Sequence, residues 1–314
     1  MNAVLEGSFK ALEKYTDDLE LLYFNVSQES KNLLVKIIAF RLLGFSKVKL
    51  PLSNSSYWEA LDLANSLKSD HELYDPHFMH FILEKFDLSR IGYNIKLFFS
   101  AGGIAIDYII EQYAYKEKGQ VIVQAEIGDV VLDIGGCWGD TALYFAHKVE
   151  EKGIVYSFEF IPDNIKLFKI NTGFNQSLKQ RIVLVPNPVS NVSDLPIYFK
   201  DNGPGSKIES APFEGQTGSA LTLSIDDFVR SNNIKNVDFI KMDIEGAEPI
   251  ALEGAIETIK RFRPKLAIAI YHSLEDFINI PKWIINLNLG YELFIGHYTI
   301  HAEETICFAK PKSK

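Results

Sequence analysis

Cysteine is scarce: Cys137 and Cys307 are the only two in 314 residues. A disulfide framework is excluded, and two isolated thiols fit a reducing compartment. Positive charge is also short, with 32 Lys and Arg against 41 Asp and Glu for a net charge of -9. A sequence-independent grip on nucleic acid needs clustered cations, so nucleic acid is not an expected partner. Long apolar runs are missing. The most apolar stretch, Leu33 to Leu43, contains Lys36 and Arg41 and falls well short of the roughly 20 residues of a membrane span. The opening residues, Met1-Asn2-Ala3-Val4-Leu5-Glu6, have neither the basic nor the apolar region of a signal peptide, which makes the cytoplasm the expected location. The signatures G-x-x-x-x-G-K-[ST], H-E-x-x-H, C-x-x-C and G-x-S-x-G are absent too. That argues against a P-loop nucleotidase, a zinc protease, a dithiol redox protein and a serine hydrolase.

What is present is an ordinary globular composition, 47% apolar and 23% charged, which can bury a full core. The length suggests about two domains, or one with a large extension. Residues 1–90 read as a helical N-terminal region. Within it Lys31 to Leu43 is a buried helix, Ser56 caps a helix from Tyr57 to Leu67 with Glu59 as capping-box partner, and Pro76 opens a short helix over His77 to Lys85. This region is expected to serve substrate recognition or homo-oligomerisation. Residues 91–314 form the second unit. It starts with a β-like Asn94 to Phe99, a turn at Ala101-Gly102-Gly103 and a helical or mixed Ile106 to Tyr115.

After Gly119 strands and helices alternate. Val130 to Ile134, Ile154 to Glu159, Arg181 to Val185, Val237 to Asp243 and Lys265 to Tyr271 are apolar runs of the kind buried on both faces. Helices are expected at Thr141 to Val149, Asn164 to Asn171, Pro249 to Lys260 and Ile280 to Asn288. Tyr291 to Ile295 and Thr305 to Ala309 close the chain as a strand pair. The alternation implies an α/β fold with a doubly wound, mostly parallel sheet. Asp201 to Gly218, rich in Gly, Pro and Ser, is a long loop of the kind that forms lids or substrate loops.

The chemistry concentrates at strand ends. Asp133-Ile134-Gly135-Gly136-Cys137-Trp138-Gly139-Asp140-Thr141 follows the first strand, at the sheet edge where such folds bind ligands. A dinucleotide fingerprint fails here, because Cys137 and Asp140 stand where glycines are required. An acid at Asp133 suits a cationic or amine-bearing ligand, and S-adenosylmethionine carries a sulfonium and an α-amino group. Glu159 ends the second strand, where a carboxylate can accept both hydroxyls of a ribose, with Phe160 and Ile161 flanking an adenine. Asn187 either touches the adenine edge or starts a turn. After the fourth strand, Asp243-Ile244-Glu245-Gly246-Ala247-Glu248 places carboxylates at the rim; Asp243 and Glu245 either orient a substrate, act as a base or cap a helix. His272, at the end of the fifth strand, suits proton transfer at neutral pH. Asp243, Glu245 and His272 could alternatively hold a divalent cation, but the spacing is unspecific and no metal is assigned. His297-Tyr298 and Glu304-Thr305 flank the last hairpin and could close the same cleft.

These segments, together with Tyr156-Ser157-Phe158-Glu159 and Tyr271-His272, resemble the FkbM family over about residues 120–310. The stretch from Phe239 to Glu248 is the most specific part. The resemblance implies a Rossmann-like, seven-stranded methyltransferase sheet with an antiparallel last strand, and an S-adenosylmethionine-dependent methyltransferase, mostly of the O-methyl type. It implies that Asp133, Gly135 and Gly139 line the methionine end of the cofactor and that Glu159 binds the ribose. Gly136, Cys137, Thr141, Phe160, Asn187 and Asp243 join them as candidate cofactor contacts. His272 is the expected base, with Asp243 and Glu245 orienting the acceptor. That acceptor would be the hydroxyl of a sugar, glycan or natural-product precursor. An NAD-dependent oxidoreductase or a non-catalytic nucleotide-binding module on the same sheet is the alternative reading.

Overall fold

The computed structural model describes residues 2–312. Its centre is a seven-stranded sheet built, in chain order, from Val130–Ile134, Ile154–Phe158, Ile182–Val185, Phe239–Met242, Lys265–Ala269, Tyr291–His297 and Thr305–Pro311. These are referred to below as the first to seventh central strands. Their spatial order is sixth, seventh, fifth, fourth, first, second, third. The seventh pairs antiparallel with both the fifth and the sixth, and the other pairings are parallel.

Both faces of the sheet are covered, so its middle strands are mostly apolar. Side chains alternate between two cores. Val131, Phe239 and Phe308 point into one, with Phe145 of the helix Asp140–Val149. Leu132, Ile240 and Ile268 point into the other, with Phe228, Leu252 and Phe277 from helices of the opposite layer. The parallel register sets Lys241 beside Asp133 on the first of these faces, and both side chains are almost fully buried.

The N-terminal region departs from the sequence expectation in its second half. Helices form at Asn2–Asn25, Gln28–Leu43 and Ser55–Asn65. The cap of the third is Asn54, whose side chain accepts the Ser56 N–H at 2.9 Å, rather than Ser56 itself. No helix follows Pro76. The Asp75 carboxylate accepts the His77 N–H, and His77 and Met79 take positive φ, so the chain turns. Leu83–Asp87 is then a strand, with Leu83 and Phe86 buried, between Lys68–Tyr74 and Lys96–Phe99. This small antiparallel sheet draws strands from both sides of residue 90, so a boundary there would cut it.

The first two helices join the main body. Ser30 accepts the Ile295 N–H at 2.9 Å, and Arg41 donates to the Tyr271 carbonyl at 3.0 Å. Ile104–Ile110 is a π-helix, and it ends on Glu111 in the left-handed region at φ 62°. The expected helix from Pro249 to Lys260 is two, Glu248–Glu253 and Ile256–Phe262. The break falls at Gly254, where a Cβ would lie 2.3 Å from the Ser190 carbonyl oxygen.

Candidate active site

Two cavities open side by side at the carboxyl ends of the first, second and fourth central strands. The first encloses about 250 Å3 between the Phe158–Asn164 segment, Asn187–Ser190, part of the Gly203–Ile208 loop and Ile244–Ile250. The second encloses about 230 Å3 beneath the π-helix. Gly135, Cys137, Pro204, Asp243 and Glu245 line both and form the partition.

The partition needs its glycine. Gly135 sits at φ +89°, and a Cβ there would lie 2.0 Å from the Asp243 carbonyl oxygen. No side chain fits, so two strand ends meet backbone to backbone. Cys137, Glu245 and Glu304, all on cavity walls, also have positive φ. Strain of this kind concentrates where a site must be held in shape.

Asp133 does not face either cavity. It is fully buried, with Thr141 Oγ1 donating at 3.0 Å, Ser157 Oγ at 2.7 Å and Lys241 Nζ at 3.3 Å. Its inward strand face makes it the anchor of the bend, a correction to its expected contact with a cationic ligand. Gly136 and Gly139 also turn inward, against Ser157 and Phe168. Thr141 lines the second cavity while donating to Asp133.

Glu159 lies on the first cavity, as do Phe160 and Asn187. Its Oε1 accepts the N–H groups of Phe160 and Ile161 at 2.6 and 2.7 Å, and Oε2 accepts from Asn164 Nδ2 at 3.1 Å. One acceptor position on Oε2 stays free, fewer than the two ribose contacts expected of the carboxylate. Burial outweighs these bonds and raises its pKa to about 7. Asn164 is held in turn by Trp138 Nε1, which donates at 3.0 Å. Neither Trp138 nor Asn164 is among the site residues expected from the sequence. Asn164 sits in the first turn of the helix after Glu159, a position that sequence spacing does not single out.

The second cavity is crowded with acids: Asp107, Asp140, Asp243, Glu245 and Glu304. Its one cation, Lys241, already donates to the Gly135 carbonyl at 2.6 Å. Burial first, and neighbouring charge after it, raise Glu304 to about 8 and lift Asp107 well above the usual range. Asp140 is raised to about 6, chiefly by burial and partly offset by Lys241. Tyr113 and Tyr271 donate their hydroxyls to Asp243 at 3.2 and 3.1 Å.

His272 forms no wall of either cavity. Its Nδ1 is 3.3 Å from Glu248, and its Nε2 is 3.4 Å from Asp243 and 3.7 Å from Glu245. Burial would lower its pKa, but the adjoining carboxylates outweigh that and push it up to about 9. A protonated imidazole withdrawn from the cavity is poorly placed to take a proton from an acceptor. Of the hairpin residues, Glu304 reaches the second cavity. His297 does not: it is buried, with Nδ1 2.9 Å from Thr305 Oγ1. Tyr298 packs its ring edge-on against Phe308 in the core.

Residues 123–293 match the model of the methyltransferase FkbM domain. Among solved structures, the chain is similar to a methyltransferase FkbM from Methylobacillus flagellatus KT, with 16% identity and a TM-score of 0.59. That alignment covers 96% of this chain and 60% of the other, so the chain spans about three fifths of that protein's length. A second similar structure is Aeropyrum pernix fibrillarin, with natively bound S-adenosyl-L-methionine, at 13% identity and a TM-score of 0.42 over 76% of this chain and 99% of the other. No curated protein matches the chain in sequence.

Proposed function

The chain belongs to the FkbM methyltransferase family, and from that premise we propose that it transfers a methyl group from S-adenosylmethionine to a hydroxyl of a sugar, glycan or natural-product precursor. One observation carries the reading: an apolar, nucleoside-sized cavity, in which Glu159 is the one carboxylate outside the partition, shares a thin wall with a second, polar cavity. A donor on one side and an acceptor on the other would meet across Gly135, Asp243 and Glu245. Family membership sets the oxidoreductase alternative aside.

The residues of the first cavity fit an adenosyl group. Glu159 has a free acceptor position for a ribose hydroxyl, Phe160 and Ile161 offer apolar faces, and glycine backbone permits close approach at the bend. When bound, S-adenosylmethionine supplies an electrophilic methyl group on a sulfonium. The chain's own work is to align the acceptor oxygen and remove its proton. Asp243 is fixed by Tyr113 and Tyr271 and orients the hydroxyl. Glu245 lines both cavities with a largely exposed side chain. It therefore replaces His272 as the group that takes the proton.

Calorimetric titration with S-adenosylhomocysteine tests the donor site. Saturable binding by the wild type is expected, weakened about tenfold in Glu159→Ala, in line with the loss of a charged hydrogen bond. Unchanged affinity in that variant would remove the ribose assignment. Binding without transfer of labelled methyl to any of a panel of sugar hydroxyls would favour the non-catalytic module.

A further inference from the structure

We propose that Asp243, Glu248 and His272 bind one divalent metal ion, of the manganese, iron or zinc kind, behind the partition between the two cavities. The methyltransferase reading supplies only the ion's position relative to an acceptor; the site itself is argued from the packing of these side chains.

Each of the three residues offers one ligand atom, and the three atoms lie within 4.8 Å of one another. An ion with arms of about 2.1 Å separates its ligands by roughly 3 to 4 Å. Small side-chain rotations therefore close the set. A second observation is independent of this spacing. Among the described residues, seven buried side-chain nitrogen and oxygen atoms have no hydrogen-bond partner, and three of them are Glu248 Oε2, His272 Nδ1 and His272 Nε2. Glu248 is fully buried, and its other oxygen already accepts the Ile244 N–H at 2.7 Å. A buried carboxylate oxygen without a partner is costly, and a cation relieves that cost.

The imidazole points the same way. Its nitrogens stand 3.3 to 3.7 Å from carboxylate oxygens without forming a hydrogen bond to any of them. With Nδ1 ligating, Nε2 faces Glu245, a carboxylate outside the set that can hold its N–H. Ligating histidines are usually oriented in that way. Tyr113 and Tyr271 bring no charge to Asp243, and Lys241 is already engaged by Asp133 and the Gly135 carbonyl. Two carboxylates with one imidazole suit first-row transition ions better than magnesium or calcium. Such an ion would neutralise the acids at the partition and fix Asp243 where an acceptor hydroxyl must lie.

The test uses the full chain, stripped with EDTA and titrated with Mn2+ while free Mn2+ is read by electron paramagnetic resonance. One ion per chain is expected, with pulsed spectra showing coupling to an imidazole nitrogen. Glu248→Gln should weaken binding tenfold or more, with His272→Gln as the second variant if the first fails to fold. Absence of saturable Mn2+ binding, or binding without nitrogen coupling, overturns the site and leaves an imidazolium ion-paired with its carboxylates. S-adenosylhomocysteine is titrated into the same sample. Its binding without metal binding defeats the metal site alone, and metal binding without it defeats the donor-site reading alone.

Discussion

Away from the shared wall of Asp243 and Glu245, the first cavity holds one carboxylate, Glu159, among Phe158, Phe160, Ile161, Ile197 and Ile208; the second adds Asp107, Asp140 and Glu304 to that wall, among Phe99, Trp138, Tyr113 and Tyr271. In the first, the acid is well provided with donors. In the second, acids outnumber cations and raise one another's pKa values. On the proposed function, one cavity takes an apolar, hydroxyl-bearing ligand. The other holds an electrostatic field ready for positive charge or for a proton in transit. A glycine bend lies in the wall that the two spaces share, and on the proposed function it is what joins them into one reaction centre.

The largest test removes the partition. Gly135→Ala forces a Cβ against the Asp243 carbonyl at positive φ. It should cost about 3 kcal/mol in urea unfolding and abolish S-adenosylhomocysteine binding. If only acceptor turnover suffered, the two spaces would not share this wall. Glu245→Gln should act on one side only: turnover falls about a hundredfold, while cofactor affinity measured by calorimetry stays the same. A parallel loss of affinity would merge the two roles.

Glu159 separates the cavities by pH. Its carboxylate, raised from 4.5 to about 7, carries a proton below that value, so cofactor affinity should fall as pH drops through 7. Stability runs the other way. Between pH 4.5 and 7 the folded chain keeps a proton that the unfolded chain loses, so stability declines as pH rises across that window. Glu159→Gln should therefore weaken the cofactor and lose the decline in stability between pH 4.5 and 7, read in thermal melts across that range. The smallest effect is expected from Trp138→Phe. It removes the N–H that holds Asn164 and should weaken cofactor binding only a few-fold, about 1 kcal/mol, with turnover at saturation unchanged.

The first cavity was largely legible in the sequence because its residues follow strand ends in short runs: Gly135 and Cys137 after the first strand, Glu159 and Phe160 after the second, and Asn187 after the third. Asp133 misled because its strand position is visible in sequence, whereas the three groups that engage its carboxylate, Thr141, Ser157 and Lys241, meet only in the fold. His272 misled similarly: it stands at the correct sheet edge, but Glu248 and Asp243 enclose it. The second cavity was mostly hidden. Asp107 and Gln112 reach it from a π-helix and its exit, which helical periodicity does not reveal. The helix expected after Pro76 failed because an Asx-type turn and two positive-φ residues competed with it.

Local order along the chain, apolar runs ending in glycine or acid, was enough to specify the wound sheet, the edge that carries the site and the apolar cavity, since each follows from side chains adjacent in sequence. Which carboxylates share the second cavity, and which histidine atoms are left without partners, depended on residues as far apart as Asp107 and Glu304. Burial and charge act through space, and only the folded chain sets those distances.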